Sequence, residues 1–405
     1  MKIKDVIARE ILDSRGNPTV EVDTILENGV IGRYSVPSGA STGSKEALEL
    51  RDNDKRYHKK GVKKVVDMIN NDLKYEVIKE NVLNQKKIDN KLIKKDGTKN
   101  KSKYGANGIL ALSMSILTAG ANYTKKPIYE YIGNGNILPR IMVNIINGGQ
   151  HANNNLDFQE FMIIPINKSV KEQIRMSSEV FHTLKEILKN KGFNTNVGDE
   201  GGFAPNLNSN IEALDLIMDA IKKSGYTKDF YLGLDIAANS FYDGSKYVIE
   251  GKSYTTQELI EYYKKLVEEY PIISIEDPFY ESDYKGFKEL TKQIGKKVQI
   301  VGDDLFVTNK ELLKKGIKGK YANTILIKPN QIGTYTEMLE TIKLAKQNNI
   351  KTIISHRSGE TENTIITHLA VGLNLGQIKC GSMCRTDRIC KYNELLRIEE
   401  KIRDM

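Results

Sequence analysis

Tryptophan is absent from this 405-residue chain, and cysteine, histidine and proline are scarce at three, five and nine residues. Three cysteines, all near the end of the sequence, make no disulfide framework, which points to a reducing cytoplasm. Long apolar runs are missing as well. The most apolar stretch, Gly108 to Tyr123, is too short to span a bilayer and carries Asn122 and three Ser/Thr hydroxyls. The opening residues, Met1-Lys-Ile-Lys-Asp5, hold no secretion core. Arginine is sparse beside lysine, 12 against 49, and the lysines are spread throughout. The net charge of +9 therefore forms no arginine-rich stripe, and no nucleic-acid partner is required.

What is present divides in two. Residues 3–9, 17–26 and 30–36 alternate or run β-branched, with a hairpin turn at Glu27-Asn-Gly29. From Ser44 to Tyr123 the period is helical. This predicts a small α+β domain over residues 1–133, ending at Gly133-Asn-Gly-Asn-Ile-Leu-Pro139. The remainder, 134–405, predicts strands at 141–146 and 161–166 and then a βα alternation. Capping-box patterns at Ser209/Glu212, Thr255/Glu258, Thr308/Glu311 and Thr334/Glu337 predict helix starts.

Six short apolar runs in this second part end on Asp235, Glu276, Asp303, Lys328, His356 and Lys379, spaced 41, 27, 25, 28 and 23 residues apart by subtraction. That spacing is about one strand-plus-helix unit, and in a βα barrel the strand ends meet at one mouth. Asp235, Glu276 and Asp303 are hard oxygen ligands with no thiol or imidazole among them, which suits Mg²⁺. Lys328 and Lys379 divide economically into a base and an anion clamp. Glu200, in Val197-Gly-Asp-Glu-Gly-Gly202, is the acid facing Lys328. The loops Ser38-Gly-Ala-Ser41-Thr-Gly43 and His356-Arg357-Ser358-Gly359, the second read as a helix N-terminus, suit a substrate with phosphate or a second carboxylate. A base, Mg²⁺ and an opposed acid describe β-elimination of water beside a carboxylate.

The ordered motifs Asp13-Ser-Arg-Gly-Asn-Pro-Thr-Val-Glu21, Val36-Pro-Ser-Gly-Ala-Ser-Thr-Gly43, Gln159-Glu-Phe161, Val197-Gly-Asp-Glu-Gly-Gly-Phe-Ala-Pro205, Ser274-Ile-Glu-Asp-Pro278, Ser355-His-Arg-Ser-Gly-Glu-Thr-Glu362 and Leu395-Leu-Arg-Ile-Glu-Glu400 closely resemble the enolase family. The resemblance implies an α/β fold, with the small domain followed by a modified, partly antiparallel ββαα(βα)6 TIM-like barrel. It implies glycolytic dehydration of 2-phosphoglycerate to phosphoenolpyruvate in a homodimer or higher homo-oligomer. By the same likeness Lys328 removes the C2 proton, and Glu200, supported by Glu160, protonates the leaving hydroxyl. Asp235, Glu276 and Asp303 hold one Mg²⁺, and Ser41 a second in the substrate complex. Lys379 binds the substrate carboxylate, while His356, Arg357 and Ser358 serve its phosphate side. His151 enters on a mobile loop and Gln159 lines the site.

Gln150, Asn153, Asn363 and His368 depart from residues usual in the family without removing a catalytic group. Cys380, Cys384 and Cys390 stand where Thr, Ser and Ala are usual. They read as small buried thiols, since no histidine or zinc spacing accompanies them. Cys380 follows Lys379 directly, so its modification is expected to slow turnover. Enolisation of an unphosphorylated carboxylate is the alternative chemistry, and it would leave Arg357 unpaired. A role as a binding protein or an inactive relative is disfavoured by the intact Lys328, Glu200 and acidic triplet.

Overall fold

The computed structural model describes residues 1–403 apart from 41 and 134. Its first strands, β1 (Ile3–Leu12), β2 (Pro18–Leu26) and β3 (Ile31–Ser35), form an antiparallel sheet in the order β1-β2-β3. The predicted turn joins β2 to β3, with Ile25 opposite Ile31. A helical stretch follows as α1 (Lys63–Met68), one π turn and α2 (Lys74–Val77), then α3 (Gln85–Asp96), α4 (Ala106–Tyr123) and α5 (Ile128–Ile132). The apolar run read from the sequence is α4. It is buried almost throughout because it lies under β2 and β3. Gly32 permits this packing, since a Cβ there would stand 2.1 Å from the backbone nitrogen of Ala119.

Residues 44–62 do not follow the predicted helical period. They run irregularly, with one 3-10 turn at Arg56–Lys59. Their backbone is spent on distant partners instead. Ala47 N donates to Gln331 O and Leu48 N to Asn100 O. Tertiary hydrogen bonding thus overrides local propensity.

The second part is a closed eight-stranded barrel. It runs β4 (Arg140–Asn147), β5 (Glu160–Pro165), α6 (Val170–Asn190), α7 (Asn210–Lys223) and β6 (Phe230–Asp235). A side hairpin of β7 (Tyr247–Ile249) and β8 (Lys252–Tyr254) precedes α8 (Thr256–Glu269). Then come β9 (Ile272–Glu276), α9 (Tyr284–Ile294), β10 (Gln299–Gly302), α10 (Lys310–Gly319), β11 (Thr324–Ile327), α11 (Tyr335–Gln347), β12 (Lys351–Ser355), α12 (Ile365–Gly372), β13 (Gly376–Lys379) and α13 (Thr386–Arg403). Strand β5 is antiparallel to both neighbours and every other barrel pair is parallel, which is the ββαα(βα)6 order. No helix among the described residues is long and apolar enough to cross a membrane.

Ser209, Thr255 and Thr334 cap helices as expected, Thr255 with a complete capping box. Thr308 does not. Asn309 caps α10 instead, and the Thr308 hydroxyl contacts the Gln331 side chain at 2.7 Å.

Residues of the same parity share a strand face. Met142, Met162, Ile164, Val301, Leu326 and Ile353 form a buried apolar cluster inside the barrel. Two residues further toward the mouth, the same face carries Asp303 above Val301, Lys328 above Leu326, and Glu160 above Met162 on the reversed strand. The chemistry therefore stands as one polar layer on an apolar plug.

Candidate active site

Strand register sets three carboxylates abreast. Asp235 pairs with Glu160 on one side and with Glu276 on the other. Because β5 runs backwards, its first residue meets the last residues of β6 and β9. Lys379, 2 % exposed, reaches all three from across the mouth: Glu276 Oε2 at 2.8 Å, Asp235 Oδ2 at 3.0 Å and Glu160 Oε1 at 3.3 Å. Burial alone would depress its pKa, but the carboxylates outweigh burial and hold it well above the ordinary lysine value.

Lys328 pairs with Asp303 Oδ2, and Gln331 Nε2 donates to Asp303 Oδ1 at 2.8 Å. The backbone nitrogens of Asp303 and Asp304 donate to Asp277 at 3.0 and 2.7 Å. Gln159 Nε2 contacts Asp235 Oδ2 at 3.3 Å.

A second cluster faces this row. Glu200 Oε1 lies 3.4 Å from His151 Nδ1 and 3.3 Å from His356 Nε2, and Asn144 Nδ2 donates to Glu200 Oε2 at 3.0 Å. His151 Nδ1 is also 3.5 Å from Glu160 Oε1. Burial and the charge of Glu200 push the Glu160 carboxyl well above its usual range. Glu200 is held well below it, because the two imidazoles outweigh burial. The two carboxyls are thus pushed in opposite directions, Glu160 toward its protonated form and Glu200 toward its ionised form.

On the third side, Arg357 pairs with Glu46 through two contacts of 3.0 and 3.1 Å and donates to Asn330 Oδ1 at 2.9 Å. Ser358 Oγ accepts from Ala40 N at 2.7 Å. The helix N-terminus expected here is absent, since α12 starts only at Ile365. Ser41 falls outside the described residues.

The structure therefore brings His151, Gln159, Glu160, Glu200, Asp235, Asp303, Lys328, His356, Arg357, Ser358 and Lys379 onto one cavity, with Glu276 in contact with Lys379. Its free volume is about 20 Å³, room for roughly one water. A larger cavity of about 870 Å³ lies at the opposite barrel end among Gln299, Gln377, Lys346 and Lys351, away from these groups.

The donor set fits a divalent cation. Glu160 Oε2 and Glu276 Oε1 are buried carboxylate oxygens with no hydrogen-bond partner. Burial and neighbouring acids push Glu276, and likewise Asp304, up to about 8. Within the expected triplet, Asp235 and Glu276 contact Lys379 and Asp303 pairs with Lys328. Among the described residues, the acid groups with ligand atoms within 4.8 Å of one another are His151, Glu160, Glu200 and Asp277, Asp303, Asp304.

Sequence reasoning missed Asp277, Asp304, Glu46, Asn144 and Arg388. Asp277 and Asp304 each follow a strand-end acid directly and were legible on that ground. The others lie on elements with no strand-end signal. Cys380 is fully buried, and burial pushes its thiol up to about 12, which leaves almost no thiolate at neutral pH. Iodoacetamide should therefore leave Cys380 unlabelled in the native protein and label it in urea, as peptide mass spectrometry would show.

The chain matches the family model described as enolase, N-terminal domain, over residues 3–132, and enolase, C-terminal TIM barrel domain, over 135–405. It is 57% identical over 406 residues to the enolase of Ehrlichia ruminantium (strain Gardel), covering 99% of this chain and 96% of that one. It is 56% identical over 407 residues to the enolase of Ehrlichia canis (strain Jake), with the same coverage. Fold, site and relatives agree, and the chain belongs to the enolase family.

Proposed function

We propose that this protein catalyses the reversible dehydration of 2-phosphoglycerate to phosphoenolpyruvate, the hydro-lyase step of glycolysis. One observation carries the reading most strongly. A strand-end lysine with a single carboxylate partner lines the same 20 Å³ cavity as the buried carboxylates Glu160 and Glu200, whose proton affinities are pushed in opposite directions.

Lys328, as the neutral amine, takes the C2 proton, and the C–H electron pair moves into the substrate carboxylate to give an enolate. Lys379 holds that carboxylate. The enolate then expels the C3 hydroxyl, which takes a proton from the Glu160–Glu200 pair through Glu200 and departs as water. Asp235, Glu276 and Asp303, with Ser41 for a second ion, would hold Mg²⁺, which supplies the positive charge that stabilises the enolate dianion. Arg357 and Ser358 take the phosphate, which must first displace Glu46 from Arg357. His356 lies on the phosphate side against Glu200, Gln159 lines the site, and His151 comes in with its loop. The division at 133/134, a homo-oligomeric state and a cytoplasmic location belong to the same reading.

The direct test is incubation with 2-phosphoglycerate, with and without Mg²⁺, following the ultraviolet absorbance of the enol phosphate. Metal-dependent product is expected, and its absence from folded protein would overturn the reading. Arg357→Gln removes a charge-assisted contact of about 1.5–3 kcal/mol. Steady-state kinetics should then show KM raised by about 10- to 100-fold, with a smaller change in kcat.

A further inference from the structure

Arg388 sits in the first turn of α13, far in sequence from every barrel strand end, and its side chain is fully buried. Its guanidinium donates to the carbonyls of Arg357 at 2.6 Å, Ser358 at 2.5 Å and Asp199 at 3.3 Å. It also contacts Nδ1 of His356, and its Nε lies 2.7 Å from Asp387 Oδ2. One side chain thus ties the phosphate-side loop to the loop that carries Glu200.

The contact with His356 has a chemical consequence. Arginine has five N–H donors, no acceptor, and no neutral form in proteins. The Nδ1 atom it touches must therefore present a lone pair. A neutral imidazole with an accepting Nδ1 carries its proton on Nε2. That Nε2 is buried without a well-directed partner and lies 3.3 Å from Glu200 Oε1. The charged groups facing His356 are Glu200, Arg388 and Glu360, and Glu360 is neutralised by Lys391 at 2.9 Å. Burial, with the Arg388 charge, outweighs Glu200 and Glu360 and takes the imidazole down to about 4.

We propose that Arg388 is a positioning residue that fixes His356 as the neutral Nε2–H tautomer, so that an N–H faces Glu200 at every working pH. This deepens the dehydratase reading and rests on it. With the other tautomer, a nitrogen lone pair would oppose the Glu200 carboxylate. With a cationic His356, a second acid would stand against Glu200 and supply a proton in place of the carboxylate pair.

Five histidines make the test tractable in the full-length protein by long-range ¹H–¹⁵N correlation with ¹⁵N-histidine, using His356→Gln for assignment. Wild type is expected to show Nε2 protonated and Nδ1 unprotonated for His356 from pH 5.5 to 8.5. Arg388→Met should protonate His356 in the acidic part of that range or switch its tautomer. The same variant should lower kcat by roughly 10- to 100-fold, with KM for 2-phosphoglycerate within about twofold and a new acid limb in the kcat profile. Arg388→Lys, which keeps a cationic donor, should restore the tautomer and most of kcat. A wild-type His356 that is cationic or Nδ1-protonated at pH 7 overturns the proposal without any variant. So does an Arg388→Met protein that folds and loses activity while His356 keeps its tautomer. The expected tautomer in a protein that does not dehydrate 2-phosphoglycerate would support the assignment of Arg388 and remove the dehydratase reading instead.

Discussion

Lys328→Ala is expected to lower kcat by about 10⁴-fold or more and to abolish exchange of the C2 proton of 2-phosphoglycerate with solvent deuterium. Glu200→Gln should lose as much turnover yet keep the exchange. The two lysines of the mouth differ in how many carboxylates they touch, and the proposed base is the one with a single partner. Lys379 touches three carboxylates and is held well above its ordinary pKa, so it remains a cation whose place is on an anionic substrate group. Lys328 has one ion-pair partner, Asp303. Burial, Arg357 and Lys379 work against its charge, but Asp303 and Glu276 outweigh them and hold its pKa above the ordinary lysine value as well. The amine is therefore free to act as a base only once that ion pair is broken. Removing the amine takes away the acceptor for the C2 proton, so neither exchange nor dehydration can start. Replacing the Glu200 carboxyl breaks the path by which the carboxylate pair delivers its proton, which leaves abstraction intact and blocks only departure of the hydroxyl. Proton NMR of the substrate in D₂O, beside the absorbance assay, reads both steps. Normal exchange with Lys328→Ala would exclude this lysine as the base. Circular dichroism is the control, because the change leaves Asp303 with Gln331 as its remaining side-chain donor.

The mouth of the barrel was legible because parallel βα units repeat. Each apolar run ends where the strand leaves the core, so Asp235, Glu276, Asp303, Lys328, His356 and Lys379 could be set on one face from spacing alone. Glu160 escapes that rule. It begins its strand, and only the reversal of β5 brings it beside Asp235. Its placement came from resemblance to the family rather than from periodicity. Arg388 and Glu46 are harder still, since each reaches the site from an element whose own sequence looks like ordinary charged surface. Both are buried or nearly so because they are committed to partners in other segments, Arg388 to His356 and the carbonyls of Arg357 and Ser358, and Glu46 to the Arg357 guanidinium. The capping pattern at Thr308 misled for a related reason. Thr308 is fully buried between strand ends, and its hydroxyl is committed to Gln331 and the backbone nitrogen of Lys328, leaving the cap to Asn309. Long-range partners decided each of these positions, and local pattern carries no record of them.

Glu276→Gln should separate what this carboxylate costs the protein from what it contributes to catalysis. In the metal-free protein Glu276 is fully buried, with Oε1 unpartnered and Oε2 against Lys379. Burial and Asp235 push its pKa up to about 8, above the ordinary value of 4.5 that an unfolded chain would show. The folded state then binds the extra proton. The stability that this proton contributes is fully present below about 4.5 and is lost as pH rises through about 8. In chelator, wild type should lose stability relative to Glu276→Gln as pH rises from about 4.5 to about 8, so that the two differ between melts at pH 6 and pH 9, because the amide cannot ionise. Mg²⁺ should reverse the order. A ligand at 100 times its Kd stabilises the folded state by about 2.7 kcal/mol, so wild type should gain several degrees in Tm with Mg²⁺ while the variant gains little. Turnover in the variant should fall by at least about 10³-fold, since charge stabilisation of a developing oxyanion is commonly worth this much or more. Thermal melts at pH 6 and 9, each with Mg²⁺ and with chelator, read all of this in one experiment. A variant that keeps both the Mg²⁺-induced shift and its activity would remove Glu276 from the metal site. A variant with the pH effect but an unchanged Mg²⁺ response would place the ion instead on the neighbouring Asp277, Asp303 and Asp304 cluster.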